Sequence, residues 1–458
     1  MPINPIFLPA QLVNPIQPPA SPAMPTLPSI PSPVAPAVPA TAKTTPEVIL
    51  VSGVTYPHKR GKVKDGFSVY CKRIAPKLHK KYPGVKITAF NFFNGTQEKY
   101  QFKSDVLVQP VVVNNVGKLK DENYRFIEDE DDDAKEKYVV KAPSPEDHTL
   151  YFPGISDIHS THDVTKKEYL RAYNDGKLKE VSLSVSNIYN YIETLGQNAK
   201  GSLVELHVFS HAWIGGPILA NTKDFSEWDA AASKWNYSDK YLDKDGRSED
   251  FDSGRTVVKS MSDFKAAFAS DAFSMIWGCN AYASPKQIVN QTRKYKKFKE
   301  MVKSPDKKLL QLVFNRDDWG EDTEEEFHDL VQDTKPYTTG KKSEKKSLND
   351  IKKILQTILD DTYMKKLAQG TGSDVLGALP GTYANLDQKY QSKFGIMLMH
   401  VPLGKKYNDH VNEKDFSKGY VNFRPILKFY KDFLAVQFRP DGEYDKKTYG
   451  RGYAVYKP

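Results

Sequence analysis

Leu203-Val-Glu-Leu-His-Val-Phe-Ser210 runs into His211-Ala-Trp-Ile-Gly215-Gly216, and Ala272-Phe-Ser-Met-Ile-Trp277-Gly278 runs into Cys279-Asn280. Both runs are short, apolar and rich in β-formers, and small or turn-prone residues follow each. That is the pattern of a buried strand in an α/β sheet. Neighbouring parallel strands bring the residues at their carboxyl ends to one crevice. A thiol and an imidazole delivered there are a nucleophile and its base.

The flanking sequence supplies the rest of such a sheet. Upstream, Glu47-Val-Ile-Leu-Val-Ser-Gly53 reads as a buried strand closed by glycine, followed by a basic loop that contains Arg60. A helix is expected from Asp65 to Lys81, because Phe67, Tyr70, Cys71, Ile74, Ala75 and Leu78 recur at helical spacing. That spacing puts Cys71 on the core face, and Pro76 is placed to kink the helix. Pro83-Gly84 ends it, and Val85 to Phe93 forms a second strand. Val106 to Val113 is strand-like, and a helix runs from Ser184 to Leu195, just ahead of the His211 strand.

Downstream, residues 221–256 read as a long polar loop, and a short helix, Ser262 to Ala269, feeds the Cys279 strand. One lysine-rich helix is expected from Ser284 to Lys308, and another helix from Leu348 to Ala368, stopped by Gly370-Thr-Gly372. Strands are expected at Val375–Leu379, Phe394–Val401, Phe433–Phe438 and Gly452–Tyr456. Strands alternating with helices imply an α/β domain over 47–458, with a mainly parallel central sheet and helices on both faces. Residues 315–346, acidic first and lysine-rich later, read as an exposed charged insertion, placed for processing cleavage.

Residues 1–46 hold 14 of the 30 prolines and no charged side chain before Lys43. Proline at that density blocks helix and central strand, so a disordered arm is expected. It lacks the basic start and unbroken apolar stretch of a secretory signal peptide. The arm is either a flexible tail or an address that docks to loading or delivery machinery.

Composition narrows the function classes. The 66 basic and 57 acidic residues are interspersed, which describes a solvated, mildly basic surface rather than a nucleic-acid footprint. The two cysteines, Cys71 and Cys279, exclude a disulfide scaffold and fit a reducing compartment. No apolar run is long enough for a membrane span. There is no G-x-S-x-G elbow, no phosphate loop and no zinc-ligand spacing; His159 and His162 lack a third partner. The acidic run Glu128 to Asp133 reads as an exposed loop, and the basic residues from Arg293 to Lys299 as a solvated helix face.

Ser210-His211-Ala212, with Gly215 and Gly216 just after it, and Gly278-Cys279, 68 residues beyond His211, resemble the caspase-like (clan CD) cysteine peptidases. In that family one hydrophobic strand ends in Ser-His-Gly and the next in a small residue and Cys. The resemblance spans residues 47–283 and implies a cysteine endopeptidase with a His211/Cys279 dyad and no metal or cofactor. It implies an oxyanion site made by the backbone N–H groups of Ala212 and Cys279, with Trp277, Arg60 and Trp213 as substrate-binding candidates. Here Ala212 replaces the family's glycine, and Trp277 stands where caspases carry glutamine. The expected partner is a peptide or protein substrate. With the leader, the reading extends to a delivered effector or toxin, cytoplasmic in the producing cell and exported by a non-classical secretion or injection system. The alternative is a catalytically inactive binding or cargo protein of the same fold, and a further one is a basic nucleic-acid binder.

Overall fold

The structure is a computed structural model. It describes residues 44–55, 65–115, 125–128, 136–139, 183–220, 228–229, 234–235, 245–252, 257–280, 283–314, 331, 343–385, 398–400, 428–438 and 453–458. Arg60, His159, His162, the acidic residues 129–133, nearly all of the proline-rich arm and most of the charged insertion lie outside them. Residues from Thr45 onward form one compact unit.

The central sheet is built from β1 (Glu47–Ser52), β2 (Lys86–Asn91), β3 (Thr96–Tyr100), β4 (Val111–Asn115), β5 (Leu203–Phe209), β6 (Phe268–Ile276), β7 (Asp374–Gly377), β8 (Gln437–Phe438) and β9 (Ala454–Tyr456). Their spatial order is β8-β9-β7-β6-β5-β1-β2-β3-β4. The five inner strands from β7 to β2 are mutually parallel. The outer strands pair antiparallel at both edges. A mainly parallel α/β sheet is therefore what forms.

The sheet's direction of growth reverses between β1 and β5. After β1 the chain builds outward through β2, and after β5 it builds the other way through β6. Such a reversal opens a crevice beyond the carboxyl ends of the two strands. All six residues of β1 are buried, as a strand covered on both faces requires.

Helix α1 (Ser68–Lys81) follows β1, and Asp65 accepts the Ser68 N–H at 3.0 Å, so the helix starts three residues later than its periodicity suggests. Pro76 lies inside it, and Cys71 is buried on its core face. Helix α1 packs on the face to which Glu205, His207 and Phe209 point: Tyr70 stacks on Phe209 with centroids 5.7 Å apart, and Lys81 reaches Glu205. Leu206 and Val208 point the opposite way by strand alternation and are also buried, so both faces of β5 are covered.

Helices α2 (Val185–Asn198) and α3 (Met261–Ala267) pack closely. A Cβ added at Gly196 would sit 1.7 Å from the Asp263 carbonyl oxygen, so only glycine permits this approach. Ser260 caps α3, receiving the Asp263 N–H at 3.3 Å, and the strand after it begins at Phe268 rather than Ala272.

The expected lysine-rich helix is two, α4 (Ala283–Lys294) and α5 (Phe298–Lys303). The next is also two, α6 (Leu348–Asp360) and α7 (Tyr363–Thr371). Between them Thr362 donates its hydroxyl to the Leu359 carbonyl at 2.8 Å and accepts the Lys365 N–H, closing one helix and opening the next. Residues 428–434 are helical, which corrects the strand expected over Phe433–Phe438; only Gln437–Phe438 is extended. Val106–Leu107 and Val111–Asn115 are separate strands. Ser343–Ser347 pairs with Leu309–Val313, so the charged insertion ends before residue 343. Of the strand expected over Phe394–Val401, Leu398–His400 is described and pairs with Tyr383–Asn385. Among the described residues no helix is long and apolar enough to cross a membrane.

Candidate active site

Strands β5 and β6 are in register with Val208 opposite Ile276, and the Trp277 N–H donates to the Val208 carbonyl at 2.9 Å. The strands end at Phe209 and Ile276. Just beyond them Phe209 and Trp277 stack with centroids 5.3 Å apart and planes 9° from parallel. The segments stay close after that, because a Cβ added at Gly278 would lie 2.3 Å from the Ala212 Cβ, 2.9 Å from the Ser210 carbonyl oxygen and 3.0 Å from the Ala212 nitrogen. The residue before the thiol therefore abuts the backbone on both sides of the imidazole.

Both candidate reactive residues are half-buried, at the carboxyl edge of the sheet. His211 lies edge-on to Phe67 at 5.3 Å and 87°, which places the ring on the α1 face. Burial first, and then the nearby Cys279 and Tyr70 groups, push the Tyr453 phenol well above its ordinary range. Tyr453 thus stays a donor, and its hydroxyl binds the Trp277 carbonyl at 3.0 Å. Beyond the thiol, Asn280 pairs with the turn after β7: its N–H donates to Thr382 O at 2.9 Å, and its carbonyl accepts from Gly381 at 2.8 Å. Cys279 is held from both flanks.

The His211 side is equally braced. His211–Trp213 turns back on Gly216–Ile218 as an antiparallel hairpin. Gly216 has φ +144°, and a Cβ there would sit 2.2 Å from the Gly246 carbonyl oxygen, so glycine is required twice over. The hairpin is clamped by Asp245–Phe251, part of the stretch read as a long loop, where residues 248–251 form a 3-10 turn. Asp245, 1% exposed, accepts the N–H groups of Leu219 and Ala220, both at 2.7 Å. Arg247 lies 3.6 Å from that carboxylate and holds its guanidinium 5.5 Å from the Trp213 ring. The Ser248 N–H donates to the Gly215 carbonyl at 2.7 Å, and the Tyr363 N–H to Ile214 at 3.2 Å.

The sequence-derived residues sort clearly. Ala212 abuts Gly278, the residue before Cys279, and His211 lies between Ala212 and Ser210, which also nears Gly278. Ala212 lacks positive φ, so alanine in place of glycine brings no backbone strain. Trp213 is half-buried against Arg247, on the hairpin that follows His211. Trp277 does not line an open pocket: it is 0% exposed, stacked on Phe209 and His207 beneath the site, which corrects its assignment to substrate binding. Those stacks put it on the α1 face, where aromatic packing covers it. Arg60 lies outside the described residues.

Glu205, His207, Asp245, Arg247 and Tyr453 were not singled out by motif. Glu205 and His207 did carry a signal: two polar residues at i and i+2 share one face of an otherwise apolar strand, which is how a buried polar network reads. Among the described residues no group of three or more His, Cys, Asp or Glu is gathered to hold a metal ion. No family model matches the chain, and neither a curated protein nor a solved structure matches it.

Proposed function

We propose that this chain is a caspase-like cysteine peptidase that cleaves peptide bonds with the dyad His211 and Cys279. The observation that carries the reading is the close approach of Gly278 to Ser210 and Ala212, which brings the residues flanking His211 against the residue before Cys279 at the carboxyl edge of a parallel sheet. The strand order supports it as well, because both candidate residues follow parallel strands next to the point where the sheet's growth reverses, where α/β sheets commonly bind ligands.

In this reading His211 takes the Cys279 proton, and the thiolate attacks the scissile carbonyl carbon. The C–S bond forms as the carbonyl π pair moves to oxygen, where the Ala212 and Cys279 N–H groups stabilise the charge. Collapse breaks the C–N bond, and His211 returns its proton to the leaving amine. Water, deprotonated by His211, then hydrolyses the thioester and frees the thiol. The rigid hairpin clamp supports the chemistry, because an oxyanion site works only when its donors are fixed beforehand.

The test is the rate of Cys279 alkylation by iodoacetamide from pH 5 to 9, in parent and His211→Ala chains that both carry Cys71→Ala. Rapid labelling that persists well below pH 8 and is lost with His211 is the expected result. A slow thiol indifferent to His211 overturns the peptidase reading and leaves the fold as a binding protein. A positive result is followed by a peptide library to find the cleaved bond.

A further inference from the structure

Beneath the dyad lies a buried polar chain that the cleavage chemistry does not use. Glu205 is 0% exposed, and three donors converge on it. Lys81 Nζ lies 2.8 Å and the Tyr82 hydroxyl 2.7 Å from Oε1, and His207 Nε2 lies 2.6 Å from Oε2. His207, 1% exposed, meets Trp277 Nε1 at its other nitrogen, Nδ1, at 3.2 Å. An indole N–H only donates. His207 Nδ1 must therefore accept, and Nε2 must carry the proton given to Glu205. The string has one direction and one tautomer.

It ends two residues from Cys279. Trp277 is fixed at its N–H by Val208, at its carbonyl by Tyr453, at its indole nitrogen by His207 and on its ring face by Phe209. A buried carboxylate is a costly way to fill a core, since apolar residues of equal volume pack there as well or better. What a fully satisfied polar string adds is a single arrangement. We infer that His207 is a positioning residue: through Trp277 it sets the rotation of the β6 terminus, and so aims the Cys279 thiol at His211. The inference rests on the dyad proposed above. His207 itself is no rival base, being sealed under the sheet face four residues before the half-exposed His211.

The experiment measures the pH profile of Cys279 alkylation by iodoacetamide, read by mass spectrometry on the full chain with Cys71→Ala. It compares parent, Trp277→Phe, His207→Phe and His207→Gln, each well below its own melting temperature. Trp277→Phe and His207→Phe are expected to move the labelling midpoint up by about one pH unit, a roughly tenfold slower reaction at pH 6.5. His207→Gln, which can still accept from the indole and donate to Glu205, is expected to restore the parent midpoint. An unchanged midpoint in Trp277→Phe and His207→Phe overturns the inference, even if their melting temperatures fall. Should His207→Phe fail to fold, Trp277→Phe alone decides. A parent profile indifferent to His211→Ala is a separate outcome, which removes the dyad and its aiming together.

Discussion

Replacing Gly278 with alanine tests the central juxtaposition directly. Gly278 has no positive φ, so the added methyl costs nothing in backbone conformation, and its whole effect is contact. The new carbon would lie 2.3 Å from the Ala212 Cβ, with backbone atoms of Ser210 and Ala212 at 2.9 and 3.0 Å. Carbon atoms rest at about 3.5–4.0 Å, and neither a methyl on rigid backbone nor a carbonyl can swing aside. The His211 and Cys279 segments must therefore part by about 1 Å. Overpacking of this kind costs roughly 1–3 kcal/mol, at about 2–4 °C of melting temperature per kcal/mol in a large domain. A displacement of about 1 Å in reacting groups costs about 100-fold in rate. Gly278→Ala should thus melt several degrees lower, and lose His211-dependent alkylation of Cys279 far more completely than it loses fold. Adding Ala212→Gly removes the 2.3 Å contact and leaves the two backbone contacts, so the double variant should recover part of both properties. If Gly278→Ala is as stable and as reactive as the parent, the two segments are not apposed and the proposed dyad is refuted.

Other residues offer independent checks. Burial works against charge on Glu205, but hydrogen bonds from His207, Lys81 and Tyr82 hold its carboxyl below the ordinary range. A lowered folded value gives stability that is full above about pH 4.5, the ordinary value, and lost as pH falls below it. Each pH unit of lowering is worth about 1.4 kcal/mol. Urea midpoints should fall between pH 5 and 3 in the parent and much less in Glu205→Gln; equal slopes would contradict it. Gly196→Ala, which on an open helix would add about 1 kcal/mol of stability, should instead destabilise, because its methyl meets the Asp263 carbonyl at 1.7 Å. A raised melting temperature would refute that packing. Burial first, then the nearby Asp65 and Glu98 carboxylates, push the Cys71 thiol well up. Cys71 should therefore stay unlabelled at pH 8 until the chain unfolds, whereas equal labelling of Cys71 and Cys279 would contradict its burial.

How much of this was legible in the sequence depends on the range over which each signal acts. The ends of β5 and β6 were legible because alternation and trailing small residues are local, as was the core face of α1 that buries Cys71. The break at Asp361–Thr362 was not, since no proline or glycine marks it and the capping threonine sits inside an apolar repeat. Residues 428–434 carry closely spaced aromatics that suit either period, and packing against Phe298 decides for helix. The candidate site was half legible. His211 and Cys279 announce themselves at strand ends. The contact of Gly278 with Ser210 and Ala212, and the Asp245 clamp, join segments far apart in sequence and leave no local mark. Trp277 shows the same limit: its place beside Cys279 in sequence suggested a pocket wall, and alternation against Phe209 made it a floor.

The bond from Tyr453 to the Trp277 carbonyl spans 176 residues. It also sets an order of assembly. A ribosome that has just released Cys279 has yet to make Tyr363, the Gly381–Thr382 turn and Tyr453, each of which bonds a segment flanking the candidate site. A chain synthesised from its amino end therefore carries the thiol long before the groups that orient it. The long-range pairing that holds the neighbours of Cys279 becomes possible only once residue 453 has been made.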